Sequence, residues 1–160
     1  MQVLVLGIGN SLMSDDGFGV RVVEELQRRY RFPENVTVLD GGTLGLDLLP
    51  HLEGADRLLI IDAIDMREKP GEIFRLEGEE VPRAFASKLS VHQMGVQDLL
   101  AVAELQGYCP PELVVWGVQP DSIEMNMELS QAVAPALPRI VKAVVEELSA
   151  WGCPPEELAA

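Results

Sequence analysis

The sequence contains no apolar run that approaches the ~20 residues needed to span a lipid bilayer. No basic region precedes the short apolar run at its start, so we expect no signal peptide. Positive charge is scarce too: 12 lysines and arginines against 26 aspartates and glutamates give a formal net charge of −14. These absences argue against a membrane protein and against a nucleic-acid-binding protein, which relies on basic patches.

Cysteine is also rare, and the two cysteines form no framework. Cys109 and Cys153 each precede a Pro-Pro-Glu segment, and we interpret both as small apolar residues at the ends of helices. A chain without a disulfide framework is typical of the cytoplasm, which is the compartment we predict. Met94, Met125 and Met127 are interpreted as apolar filler rather than as soft metal ligands.

Two motifs of common hydrolases are missing as well. The sequence contains neither His-Glu-x-x-His, which holds zinc in many metalloproteases, nor Gly-x-Ser-x-Gly, the nucleophile turn of serine hydrolases. No local signal near either cysteine supports a cysteine–histidine pair. These absences disfavour a metalloprotease of the His-Glu-x-x-His type and a protease that works through a serine or cysteine nucleophile.

Strand and helix patterns do alternate along the chain, whose 160 residues fit one domain, 1–160. We predict strands at 2–8, 36–39, 58–61, 72–76 and 113–118, and helices at about 15–30, 43–49, 90–106 and 130–151. The pattern indicates an α/β fold: a three-layer arrangement with a mostly parallel sheet of about five strands and helices on both faces. The short strand at 72–76 is expected at an edge, where an antiparallel orientation is open to it, and the tail after Cys153 is expected to fray.

Ligands in such folds bind at the carboxyl ends of the strands. Acidic residues follow three of the predicted strands there, namely Asp15 and Asp16, Asp40, and Asp62 and Asp65. His92, one of two histidines, opens the helix that follows the fourth strand. Carboxylates gathered so closely need a cation or a hydrogen-bond donor between them, and a mixed oxygen and nitrogen set suits zinc, nickel or iron.

Each of these residues also has a structural interpretation. Asp15 and Asp16 suit the positive end of a helix dipole, and this interpretation weighs more for Asp15. Asp40 precedes two glycines and is a natural turn residue, while Asp62 could cap a turn or helix. His92 could be an ordinary residue of a first helical turn.

Two other classes of protein share part of this pattern. Gly7-Ile8-Gly9 begins a dinucleotide-binding fingerprint, but Leu12 replaces its third glycine and the aspartates would crowd a pyrophosphate, so no organic cofactor is expected. A receiver-like signalling module also carries paired acids after its first strand. In that module the acids stand directly at the strand end and a lysine follows the last strand. Here the segment after the last strand, Val118-Gln119-Pro120-Asp121, contains no lysine.

Nearly the whole chain is similar to the hydrogenase maturation endopeptidases. The first motif is Gly7-Ile8-Gly9-Asn10-Ser11-Leu12-Met13-Ser14-Asp15-Asp16-Gly17-Phe18-Gly19, the opening signature of that family. Further segments agree in order, namely Asp40-Gly41-Gly42-Thr43, Ile60-Ile61-Asp62-Ala63, Ser90-Val91-His92-Gln93, and Gly117-Val118-Gln119-Pro120 with Leu129-Ser130. Ordered motifs at the ends of the expected elements are specific evidence, whereas a single glycine turn would be weak.

The resemblance implies a twisted sheet between helices and an aspartic-type endopeptidase, a hydrolase. Members of that family remove a short C-terminal extension from the large-subunit precursor of nickel–iron hydrogenase after nickel has been inserted. The metal-contacting residues of the family fall here on Asp16, Asp62 and His92. The first of these is often a glutamate in relatives, so aspartate gives a shorter reach to the metal.

The chemistry of these residues is consistent with that implication. Two carboxylates and one imidazole form an incomplete ligand shell, which can take a cation presented by a partner. We expect the nickel to belong to the precursor and to be sensed by Asp16, Asp62 and His92. A metal near the scissile bond could polarise the carbonyl or activate a water, with Asp40 or Asp16 as general base. The alternatives are a self-contained metallohydrolase with its own zinc and the non-enzymatic receiver-like module.

Overall fold

A computed structural model of the chain describes residues 1–42, 45–81 and 91–159, without the side chains of 45, 46 and 91–98. The strands are β1 (Val3–Ile8), β2 (Tyr30–Arg31), β3 (Val36–Gly42), β4 (Arg57–Ala63), β5 (Ile73–Glu77), β6 (Glu112–Val118) and β7 (Glu156–Glu157). The helices are α1 (Phe18–Arg29), α2 (Leu49–Leu52), α3 (Val91–Gln106) and α4 (Ala136–Ala150), with 3-10 turns at Ser14–Gly17 and Gly45–Leu48.

Five of the strands form one sheet in the order β3-β1-β4-β6-β5. The first four of these run parallel, and β5 pairs antiparallel with β6 at the edge. The predicted mostly parallel sheet and its antiparallel edge strand are therefore confirmed. We call the side where the parallel strands end the carboxyl edge, and the side where they begin the amino edge.

Helices cover both faces of this sheet, which confirms the predicted three-layer arrangement. Val3 and Val5 of β1 pack in one apolar cluster with α1 and α4, and the intervening Leu4 and Leu6 pack in a second cluster with α2 and α3. Every residue of β1 is buried, because a parallel strand between two helical layers has no solvent-facing side. Throughout the described part of the chain, no helix combines the length and the apolar character needed to cross a membrane.

Several boundaries differ from the predicted ones. The helix expected from residue 15 begins at Phe18, after the 3-10 turn, and the helix expected from residue 130 begins at Ala136. Pro138 lies in the first turn of α4, where the missing N–H costs no helical hydrogen bond. β3 and β4 run further than expected, so Asp40 and Asp62 lie within the last residues of their strands.

The prediction of a frayed tail is wrong. Glu156–Glu157 form β7, which pairs antiparallel with Tyr30–Arg31 at the end of α1. The backbone N–H of Leu158 donates to the carbonyl of Arg29 at 2.8 Å. Cys153, just before this strand, is 3% exposed and belongs to the core. The tail is fixed by backbone pairing, a contact that leaves no apolar pattern in the sequence.

Candidate active site

The turn after β1 is built by glycines that allow very close backbone contact. A Cβ atom on Gly9, whose φ is +132°, would overlap the carbonyl oxygen of Asp16. A Cβ atom on Gly19 would overlap the carbonyl oxygen of Ile61 in β4. The glycines therefore let the 3-10 turn and the start of α1 lie directly on the carboxyl edge of β1 and β4.

Asp16 lies within this turn and is 7% exposed. Its Oδ2 accepts a hydrogen bond from the backbone N–H of Asn10 at 3.2 Å, and its own N–H donates to the carbonyl of Met13 at 3.1 Å. The turn thus folds back on itself around the carboxylate. Asp16 is therefore a buried carboxylate at the carboxyl edge, where the sequence analysis predicted it.

Asp62 is the second-last residue of β4 and is fully buried. Its Oδ1 accepts the N–H of Ala63 at 2.8 Å, and in the sheet it lies opposite Gly117 of β6. Because Gly19 contacts the neighbouring residue Ile61, the turn of Asp16 and the end of β4 meet at one place. The predicted association of Asp16 and Asp62 at one edge is consistent with this geometry.

Asp40 lies at the same edge, on β3, which is on the opposite side of β1 from β4. It is exposed, pairs with Gly7 in the sheet, and accepts the N–H of Gly42 on its Oδ1 at 2.9 Å. Because β1 separates β3 from β4, the backbones of Asp40 and Asp62 are about 10 Å apart, two strand spacings. Asp40 therefore serves its own turn and also presents a carboxylate to solvent.

His92 is the second residue of α3, as the sequence analysis expected. Its imidazole, like the capping residue Ser90, lies outside the described residues. Among the side chains that are described, no group of three His, Cys, Asp or Glu residues is close enough to hold a metal ion. The ligand set of Asp16, Asp62 and His92 therefore stays a prediction.

The structure corrects the interpretation of Asp15 as a residue that complements a helix dipole. Asp15 is fully buried, and its Oδ2 accepts hydrogen bonds from the N–H of Asp121 at 2.8 Å and of Ser122 at 2.9 Å. The Oγ of Ser130 donates to Oδ2 and its N–H to Oδ1, both at 2.8 Å. The carboxylate thus binds both ends of the segment between β6 and α4. We call residues 121–130 the clamped segment.

Gln119 fixes a second loop at this edge, a role that no local motif indicates. Its buried side chain accepts the N–H of Met66 at 2.7 Å and of Glu68 at 3.1 Å. Its amide nitrogen donates to Oδ1 of Asp65 at 3.0 Å. Asp65, predicted among the residues at the strand ends, is therefore part of the loop after β4.

Two methionines of the clamped segment are not the filler that we predicted. Met125 is 85% exposed and Met127 is 66% exposed. Ile123, in the same segment, and Leu12, in the turn after β1, are also more than half exposed. The carboxyl edge therefore combines buried carboxylates with an exposed apolar surface.

Both cysteines lie far from these carboxylates. Cys109 precedes β6, and the Sγ of Cys153 accepts a hydrogen bond from Asn35, which precedes β3, so both lie at the amino edge. Both are free thiols. Burial, and secondarily the charge of Glu104, raises the pKa of the Cys109 thiol above its ordinary value. A cysteine nucleophile is therefore absent from the described part of the carboxyl edge.

Comparison with known proteins gives a consistent result. The family HycI, hydrogenase maturation protease, matches residues 20–147. The hydrogenase expression/formation protein HupD of Bradyrhizobium diazoefficiens is 46% identical over 153 residues, which cover 94% of this chain and 80% of that protein. The structure of the hydrogenase maturating endopeptidase HybD from Escherichia coli superimposes with a TM-score of 0.94 at 39% identity, covering 98% of both chains. The [NiFe] hydrogenase maturation protease HybD of Thermococcus kodakarensis superimposes at 0.76 with 34% identity, covering 92% of this chain and 99% of that one.

Proposed function

The chain belongs to the hydrogenase maturation protease family, and we propose that it removes a short C-terminal extension from the large-subunit precursor of a nickel–iron hydrogenase. Membership makes it a hydrolase and an endopeptidase of hydrogenase maturation. The relative from Thermococcus kodakarensis, described as a [NiFe] hydrogenase maturation protease, supports the choice of substrate. The observation that carries the proposal is the pair of buried carboxylates, Asp16 and Asp62, at one edge of a glycine-built frame.

The proposed trigger is the nickel ion of the precursor, which Asp16, Asp62 and His92 contact when the substrate is bound. Two carboxylates and an imidazole leave ligand positions open for groups of the substrate, so the metal can be shared without being removed. Cleavage would then depend on nickel loading, because an empty precursor offers nothing for these ligands to bind.

The hydrolytic step needs a base and a polarised carbonyl. A water oxygen attacks the scissile carbonyl carbon, a carboxylate accepts the proton, and the carbon–nitrogen bond breaks as the leaving amine is protonated. Asp40 and Asp16 are the two candidates for the base. Each carboxylate accepts one backbone N–H, from Gly42 at Asp40 and from Asn10 at Asp16. Asp40 is exposed to solvent, where the attacking water comes from, whereas Asp16 is buried. We therefore assign the base to Asp40 and metal contact to Asp16.

The compartment that fits this chemistry is the cytoplasm. Cys109 and Cys153 are both free thiols, and neither is paired with the other. Free thiols are typical of a reducing compartment.

The decisive experiment mixes the protein with nickel-loaded and nickel-free precursor and measures the mass of the large subunit. We expect loss of a C-terminal peptide from the nickel-loaded form alone. If neither form loses a peptide, the proposed substrate is wrong. If both are cut equally, the protease assignment stands and nickel sensing fails. Stoichiometric zinc in the purified protein, with cleavage of free peptides, would instead support the self-contained metallohydrolase.

A further inference from the structure

Four large apolar side chains at the carboxyl edge are exposed to solvent. Leu12 is 54% exposed, Ile123 52%, Met125 85% and Met127 66%. Clustered apolar side chains on a protein surface commonly mark an interaction site, and methionine is favoured there because its flexible thioether adapts to different partners. We call these four residues the docking surface.

The two segments that carry the docking surface are bonded to each other and to the turn of Asp16. The N–H of Asn126 donates to the carbonyl of Leu12 at 3.0 Å, and the N–H of Ser14 donates to the carbonyl of Asn126 at 2.7 Å. The carbonyl of Met13, between them, accepts the N–H of Asp16. The docking surface is therefore continuous with the candidate active site.

Side chains from other parts of the protein hold the clamped segment in place. Asp15 binds both of its ends, and the Oγ of Ser14 donates to the carbonyl of Glu128 at 2.8 Å. The guanidinium of Arg21 donates to the carbonyls of Ser11 and Met127, one in each segment. A surface that is ordered before binding costs less conformational entropy when the partner arrives.

We propose that the docking surface binds an apolar segment of the substrate polypeptide that is flanked by basic side chains. The inference rests on the proposed function, since it names the part of the precursor that this site recognises. Residues 119–130 contain the exposed acids Asp121, Glu124 and Glu128 and no lysine or arginine. Acids beside an apolar surface favour a partner with positive charge around its own apolar side chains.

The same charges argue against a second copy of the chain as the occupant. In a symmetric dimer through this surface, the same acidic segment would lie on both sides of the interface, so negative charge would face negative charge. Each copy also carries a net charge of −14, so the two would repel each other. A basic, apolar polypeptide meets neither obstacle.

The test replaces Met125 and Met127 together by serine in the full chain and measures cleavage of nickel-loaded precursor. We expect KM to rise about tenfold or more with kcat within about twofold, because buried apolar area contributes to binding and not to the chemical step. Both side chains are exposed in the free protein, so the fold should be retained, and a urea denaturation curve checks this. The matched control is Leu105→Ser, which removes an 87% exposed leucine near the end of α3.

A second variant tests the charge of the partner. Glu124→Gln with Glu128→Gln should raise KM about threefold at low salt, and the difference from the wild type should vanish at high salt. An unchanged KM at low salt would overturn the basic character of the bound segment. If the methionine variant converts a dimer into a monomer with unchanged KM, the surface is a self-association site and the proposal is overturned.

Binding without cleavage separates this proposal from the proposed function. The Kd for nickel-loaded precursor is measured with Asp62→Asn, alone and combined with the two methionine substitutions. If the wild type does not cut the precursor but the methionine substitutions abolish its binding, the docking surface stands and the proposed function fails. If the wild type cuts the precursor and the methionine substitutions change neither KM nor Kd, the docking-surface proposal fails while the proposed function stands. A precursor that is neither bound nor cut overturns both.

Discussion

The two edges of the sheet are held together by different kinds of contact. At the amino edge, Arg57 forms an ion pair with Glu112 at 3.5 Å and lies over the ring of Trp151 at 5.0 Å. At the carboxyl edge, buried side chains bind backbone N–H groups of neighbouring loops, as Asp15 and Gln119 do. The first kind of contact joins side chains that are partly in water, and the second fixes the course of the backbone.

The difference indicates which edge is built for stability and which for function. Partly exposed ion pairs contribute little each and tolerate replacement. A buried carboxylate with four donors fixes loop positions, and loops at the carboxyl ends of strands carry the chemistry in α/β folds. Changes at the carboxyl edge should therefore alter cleavage, whereas changes at the amino edge should alter stability alone.

The largest effect is expected from Asp16→Asn and Asp62→Asn. Each variant keeps a side-chain oxygen for its backbone donor but loses the charge proposed to contact the nickel of the precursor, so cleavage should fall by about 100-fold or more. Mass spectrometry of the precursor measures the loss, and urea denaturation shows whether the fold is kept. His92→Ala should have an equal effect on cleavage.

Asp56→Asn is the matched control, since this carboxylate accepts the N–H of Gln2 at the amino edge. It should leave cleavage unchanged. Full activity in Asp16→Asn, Asp62→Asn or His92→Ala would remove that residue from the proposed metal contact.

A smaller but still severe effect is expected from Gly19→Ala. The added Cβ would overlap backbone atoms of Ile8 and Ile61, so β1 and β4 would have to move, at a cost of about 3 kcal/mol in unfolding free energy. At the amino edge, Gly107→Ala meets no atom within 4 Å and costs about 1 kcal/mol, from its φ of +75° alone. Urea denaturation measures both. Equal costs for the two variants would contradict the tight contact at the carboxyl edge.

The amino edge itself is tested by Arg57→Ala. Loss of the Glu112 ion pair and of the Trp151 ring contact should lower the free energy of unfolding by about 1 kcal/mol. Cleavage by the folded variant should equal that of the wild type. A drop in kcat would show that the two edges are not independent.

The smallest effect is expected from Cys109→Ala, which should change neither cleavage nor stability by a measurable amount. Burial raises the pKa of the Cys109 thiol, so little thiolate exists at neutral pH and the thiol should react slowly. Its alkylation by iodoacetamide should accelerate as the pH rises toward that raised pKa. Loss of cleavage in this variant would support a thiol mechanism and would contradict the conclusion drawn from the position of both cysteines at the amino edge.

The sheet was predictable because each core strand has a recognisable pattern in its own local sequence. The apolar runs of β1, β4 and β6 identify buried parallel strands, and the alternation of β5 identifies an edge. The strand ends were less predictable, since Asp62 pairs with Gly117 in the ladder although its side chain interrupts the apolar run. Backbone pairing with neighbours extends a strand beyond its own apolar residues.

The contacts that shape the candidate site depend on residues far apart in the sequence. The roles of Asp15 and Gln119 become visible only when distant loops are brought together. The exposure of Met125 and Met127 was equally hidden, because apolar residues are normally buried and nothing local to the segment contradicts that expectation. The tail shows the same limit, since the Glu156–Glu157 pairing with β2 has no apolar signature.

The Asp15 carboxylate also sets an order of events during synthesis. Its donors lie 106 to 115 positions later in the chain, so its four hydrogen bonds wait until Ser130 has been made. Contacts of such long separation form late in folding, after local helices and turns. A nascent chain that has not reached Ser130 therefore lacks two of the four donors to this carboxylate. Until Ser130 has been made, residues 121–130 lack the full anchor that holds the docking surface beside the turn of Asp16.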